Sequence, residues 1–143
     1  MAAGMTLLLE YLPQDDANRP QILAGYQLMM KTLLANQRKD GLWGQIVDDA
    51  GAWDETSGSA MYAYAFAEGV RSGWLGSEYR AAMEKAYVAL VNRLDEHANL
   101  ADVCIGTGAR DNRAWYMARA RVNGDPHGQA PLLWLCKVLI EMK

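Results

Sequence analysis

The stretch that decides the fold is residues 56–71, TSGSAMYAYAFAEGVR, preceded by Trp53-Asp54-Glu55. Its apolar residues do not follow one stripe but run nearly all round a helix, which makes it a helix covered on every side. The many alanines let neighbouring helices approach closely. Thr56 and Ser57 read as its capping residues. Working outward, Ile22, Leu23, Tyr26, Met29, Met30, Leu33 and Leu34 recur at helical spacing upstream, with Gln21, Gln27, Lys31 and Asn36 left outside. Downstream, Tyr79, Met83, Ala86, Tyr87, Leu90, Val91 and Leu94 form one stripe, while Arg80, Glu84, Lys85 and Arg93 face water. These two flanking helices are amphipathic. At the ends of the chain the pattern returns to helices read as buried. One covers Met1 to Leu12; the other runs from Gly128 to about Met142 with Ala130, Leu132, Leu133, Trp134, Leu135, Val138, Leu139 and Ile140 inside.

The order is therefore buried, amphipathic, buried, amphipathic, buried. Long loops, Gln37–Glu55 (a loop or short hairpin) and the irregular Asp95–Pro126, lead from each amphipathic helix into the next buried one. A bundle with short connections does not alternate in this way. The pattern predicts an all-α fold: a toroid of helical hairpins, with covered helices inside, solvent-facing helices outside, and the long loops along one rim. Three inner helices do not close a ring. The chain thus reads as one incomplete toroid domain over residues 1–143, about half of the full ring, with open edges that expose apolar surface.

The chain has 143 residues, 51% hydrophobic and 22% charged, enough for a core. A net charge of -3 without a basic run gives no footprint for nucleic acid. The apolar Met1–Leu12 segment is too short to cross a bilayer, which needs about 20 residues, so no membrane partner is expected. It also lacks the basic flank of a secretory signal. Cys104 and Cys136 make no disulfide framework, and a reducing, cytoplasmic setting is expected. No His/Cys spacing resembles a zinc site, and no metal or cofactor is expected. Five Trp and seven Tyr against one Phe suit surfaces that are both apolar and wet, sugar clefts among them.

Asp48, Asp49, Asp54 and Glu55 form the densest group of carboxylates, beside Trp43 and Trp53. They read first as turn residues and helix N-terminal acids, and secondly as acid/base groups for a sugar. His127 stands at the mouth of the last helix, placed either to meet a ligand or to serve the cap. Gly106-Thr107-Gly108 has no preceding strand and is not a phosphate loop.

Taken together, several segments resemble the C-terminal half of glycoside hydrolase families 88 and 105, the unsaturated glucuronyl and rhamnogalacturonyl hydrolases. They are Asp40-Gly41-Leu42-Trp43-Gly44-Gln45, Trp53 to Met61, Gly69 to Leu75, Cys104 to Gly108, and Gly124 to Pro131. The resemblance spans essentially the whole chain, with family 105 the closer. It implies part of a six-hairpin (α/α)6 barrel and an activity that hydrates the C4–C5 double bond of a terminal unsaturated uronic acid. It also implies that the family's acid/base aspartates and a helping histidine belong to a half not represented here, so the chain resembles a truncated enzyme with its catalytic residues unknown. Only rim positions carry over: Trp43, Glu55, Thr56, Ser57 and His127, as sugar contacts or supports of the site. The expectation is a non-catalytic half-barrel that pairs as a homodimer through its open edges and retains weak binding of acidic, unsaturated oligosaccharides. The alternatives are hydrolysis with a partner half or by rim residues, and a helical module that binds another protein.

Overall fold

The computed structural model describes residues 1–142. Five long or medium helices dominate: α1 (Ala2–Tyr11), α2 (Arg19–Ala35), α3 (Thr56–Arg71), α4 (Glu78–Val91) and α6 (Pro126–Glu141). A shorter helix, α5 (Arg113–Met117), and a two-stranded antiparallel ribbon, β1 (Val103–Cys104) with β2 (Arg121–Val122), complete the elements. The expected alternation is present. α3 packs against α1 on one side and α6 on the other, while α2 and α4 cover the outside.

α3 is as enclosed as its composition dictates. Ala60, Ala63, Ala65, Phe66 and Ala67 are all fully buried. The small alanine side chains let α2 come close enough for the Tyr26 hydroxyl to donate to the Ala65 carbonyl at 2.6 Å. Trp43, Phe66 and Tyr79 meet edge to face along one side of the helix, a geometry favoured by the aromatic quadrupole.

Arg71 shows how the inner helices are oriented. Its guanidinium bonds Glu68 at 2.7 and 2.8 Å. It also lies 3.9 Å from both Glu10 at the end of α1 and Glu141 at the end of α6. The three inner helices therefore end together and run in the same direction, which puts their N-termini at the opposite rim. Glu68 is only 1% exposed, and its ion pair and the Ser72 hydroxyl at 2.6 Å satisfy it, as a buried carboxylate requires. Arg19, also buried, donates to the Leu9 and Leu12 carbonyls at 2.9 and 2.6 Å, taking up orphan acceptors where α1 stops.

Several expectations need correction. Thr56 and Ser57 do not cap α3; the cap is Glu55, whose carboxylate accepts from the Ser57 and Gly58 amides. The last helix starts at Pro126, capped by Asp125, rather than at Gly128. α1 and α6 are buried on one side only. Leu8 on α1 and Leu133 and Ile140 on α6 are exposed, while Tyr11 and Trp134 line a hollow between these two helices with Tyr64 of α3. The Gln37–Glu55 segment is a short hairpin, in which Glu55 N–H donates to the Trp43 carbonyl and Gln45 N–H to that of Trp53, both at 2.9 Å. The segment from Asp95 to Pro126 is not wholly irregular: it holds α5 and the β1–β2 ribbon. A five-residue helix and two-residue strands are too short to leave a periodic signal.

Candidate functional site

The rim is built around the start of α3. The Glu55 carboxylate accepts from Ser57 N–H at 3.1 Å, the Ser57 hydroxyl at 2.7 Å, the Gly58 amide, and Cys104 N–H at 3.2 Å. One acid thus caps a helix and fastens β1 above it. Thr56 adds a second tie, its hydroxyl donating to the Ala101 carbonyl at 2.7 Å. From α6, Gln129 accepts from Leu100 N–H and donates to the Ala98 carbonyl, both at 2.9 Å. The loop before β1 is thereby fixed over the N-terminus of α6.

Two adjoining hollows open on this rim. The first, of about 240 Å³, lies among Trp43, Gly44, Tyr62 and Tyr116; the second, of about 180 Å³, among Cys104, Gly106 and His127. Gln45, Glu55, Ser57, Met61 and Thr107 line both. Each is smaller than an ordinary ligand pocket, which starts at roughly 300 Å³. Joined through their shared wall, they reach that scale.

The five residues singled out from sequence separate here. Glu55, Ser57 and His127 border the hollows, with Glu55 and Ser57 each 8% exposed. Trp43 forms a floor and not an open platform: it is fully buried, and its indole N–H donates to the Leu33 carbonyl at 2.7 Å. Thr56 is fully buried beneath the rim. His127 is exposed, its Nδ1 lying 2.6 Å from Asp125 Oδ1. That contact, together with the His127 amide, holds the Asp125 carboxyl below the usual carboxylate range, the amide contributing most.

Of the remaining acids of the cluster, Asp48 is exposed, while Asp54 and Asp49 are committed. Asp54 sits between Arg38 at 2.7 Å and Arg93 at 2.9 Å. Asp49 pairs with Arg113 at 2.5 Å and is held below its usual range first by that bond and then by the Gly51 amide. Burial, and next the neighbouring Glu55, push the Cys104 thiol up, which disfavours its reactive thiolate. Among the described residues no group of three or more His, Cys, Asp and Glu is arranged to hold a metal ion. No helix among them is long and apolar enough to cross a membrane.

Gln45, Met61, Tyr62, Thr107 and Tyr116 were not singled out from sequence. Gln45, Met61 and Thr107 fall inside the segments that carry the family resemblance. Tyr116 lies on α5, which had no sequence signal.

Same-direction inner helices sheathed by outer ones, with a hollow where the inner N-termini meet the long loops, define part of an (α/α) hairpin barrel. The chain belongs to glycosyl hydrolase family 88, whose sequence model matches residues 1–143. It is 36% identical, over 62% of its length and 24% of the relative's, to an unsaturated 3S-rhamnoglycuronyl hydrolase of Formosa agariphila. It is 29% identical to a 24.9 kDa protein in the picA locus of Rhizobium radiobacter, over 93% of this chain and 65% of that one. In fold it superposes with a TM-score of 0.91 on a possible family 105 member from Salmonella enterica, at 24% identity, covering 99% of this chain and 38% of the other. The chain thus spans just under two thirds of the Rhizobium relative, and less than half of the family 105 neighbour.

Proposed function

We propose that this chain forms one wall of a site for oligosaccharides ending in an unsaturated uronic acid, and that alone it binds such ends without cleaving them. The observation that carries this reading is the state of its rim acids. Glu55 accepts hydrogen bonds on both carboxylate oxygens, Asp54 lies between two arginines, Asp49 is paired with Arg113, and Asp125 is held by His127. Carboxylates so engaged are committed to holding the rim. What remains for a sugar is a polar wall of Gln45, Thr107 and His127 beside Met61 and Tyr62. Hydration of the double bond then needs an acid from helices that complete the ring. Titrating the chain with an unsaturated uronyl disaccharide should give saturable binding that His127→Ala and Thr107→Val each weaken. Binding indifferent to both substitutions would remove the rim as the site.

A second copy is the partner we infer for the open edges. The three inner helices run the same way, so a two-fold axis along the barrel preserves that direction and sets α1 of one copy beside α6 of the other. Leu8, Leu133 and Ile140 supply the exposed apolar surface, which a monomer seldom leaves open. Sedimentation velocity should report a dimer that Leu133→Glu dissociates. A folded monomer at micromolar concentration would exclude it.

A further inference from the structure

The backbone at the start of α6 is tightly held. Pro126, the first helical residue, restricts the chain there without removing a helical hydrogen bond. A Cβ on Gly128 would run into Val103, so the helix lies close against β1. Gln129 ties the same turn to Leu100 and Ala98. His127 therefore stands at a fixed place on the edge of the second rim hollow. Its ring is less constrained by packing, because the side chain is 64% exposed.

What holds the ring is Asp125. Its Oδ1 accepts from the His127 amide at 2.9 Å, and His127 Nδ1 lies 2.6 Å from the same oxygen. The first bond is the helix cap. The second is not needed for capping, which uses the amide alone. An ionised carboxylate accepts and does not donate, so in this contact Nδ1 carries the proton. A neutral imidazole holds one proton, which leaves Nε2 a bare acceptor. With Nδ1 taken, Nε2 is the nitrogen that remains for a ligand. Glu55 faces the same hollow from α3 with both carboxylate oxygens already engaged.

We propose that Asp125 is a positioning residue: besides capping α6, it orients the His127 ring and fixes its proton on Nδ1, so that Nε2 accepts a hydrogen bond from a hydroxyl of the bound sugar. The sugar's part in this assignment rests on the reading of the rim as an oligosaccharide site. The tautomer of His127 does not.

Nitrogen NMR of the whole chain, at a pH above the titration of the ring, reads the tautomer directly. In the parent, Nδ1 should carry the proton and Nε2 should be bare. In Asp125→Ser the hydroxyl can still cap the helix but ends one bond short of the carboxylate oxygen. There the proton should spread over both nitrogens while the helix content by circular dichroism is unchanged. A parent ring protonated on Nε2, or the same Nδ1 preference in the serine variant, overturns the assignment whether or not any sugar binds. A second arm titrates the parent, Asp125→Ser, His127→Ala and the double variant with an unsaturated uronyl disaccharide. Asp125→Ser should weaken binding by up to about tenfold, the worth of one hydrogen bond, and should add nothing in the His127→Ala background. An equal loss in both backgrounds means that Asp125 acts through the helix rather than through His127, and overturns the proposal too. If the disaccharide does not bind the parent, the oligosaccharide reading has failed, and the tautomer alone decides the role of Asp125.

Discussion

Replacing Glu55 with alanine removes one carboxylate that serves a helix, a strand and a hydroxyl at once. Loss of a helix cap costs about 1 kcal/mol. The Cys104 N–H, buried against Glu55 at 3.2 Å, is left without an acceptor, a further cost of about 1–3 kcal/mol. The Ser57 hydroxyl also loses its 2.7 Å bond. Glu55→Ala should therefore destabilise the chain by about 3 kcal/mol, lowering Tm by roughly 10 °C for a domain of this size. Glu55→Gln should do less. Its carbonyl can keep the three bonds to Ser57 and Cys104, while its amide meets the Gly58 N–H, donor against donor, at a cost of about 1–2 kcal/mol. Urea unfolding with a common slope for the three proteins measures both differences. An alanine variant within 1 kcal/mol of the parent, or a glutamine variant as damaging as alanine, would refute the claim that this carboxylate holds the rim together.

Three other outcomes follow from the same packing and charges. At Gly128 an added Cβ would run into Val103 and lie 3.1 Å from Leu100, so Gly128→Ala should cost about 1–3 kcal/mol of overpacking and speed thiol labelling of Cys104 by displacing β1. On the acid side, Asp49, Asp95 and Asp125 all lie below their ordinary value of 3.8, through Arg113, the Asn99 amide and the His127 amide respectively. A depressed carboxyl adds stability that is present above its unfolded value and is lost as pH falls through the folded one. Urea midpoints should thus be steady in mild acid and drop below about pH 4, the drop being smaller in Asp95→Asn. On the alkaline side burial raises Tyr64 from 10.0 to about 12 and raises Tyr26 as well. Their contribution is complete below pH 10 and is lost as pH climbs through the folded values, which phenolate absorbance and unfolding midpoints can follow together.

The alternation of helices was legible because it rests on period and coverage. The apolar surround of α3 and the single stripes of α2 and α4 are direct statements about which sides meet protein. The same reasoning overstated α1 and α6. An apolar sequence says that a helix seeks cover, and Leu133 and Ile140 show that nothing among the described residues provides it. The rim was legible only in part. Asp-Glu-Thr-Ser marks a helix start, but whether Thr56 or Glu55 caps it depends on a rotamer and on β1 arriving overhead. Trp43 was read as a rim aromatic from its neighbours in sequence, yet the hairpin turns it into the core, where Leu33 takes its N–H. Thr107 and Tyr116 reach the site through a ribbon and a five-residue helix, elements set by long-range contacts that leave no local pattern.

The most direct test holds the purified chain at concentrations that saturate it with an unsaturated uronyl disaccharide while the C4–C5 double bond is followed over time. Binding at the rim with the double bond intact is the expected result, with turnover appearing only when further inner helices of the barrel are supplied. Consumption of the double bond by this chain alone would contradict the assignment of its rim acids to structure.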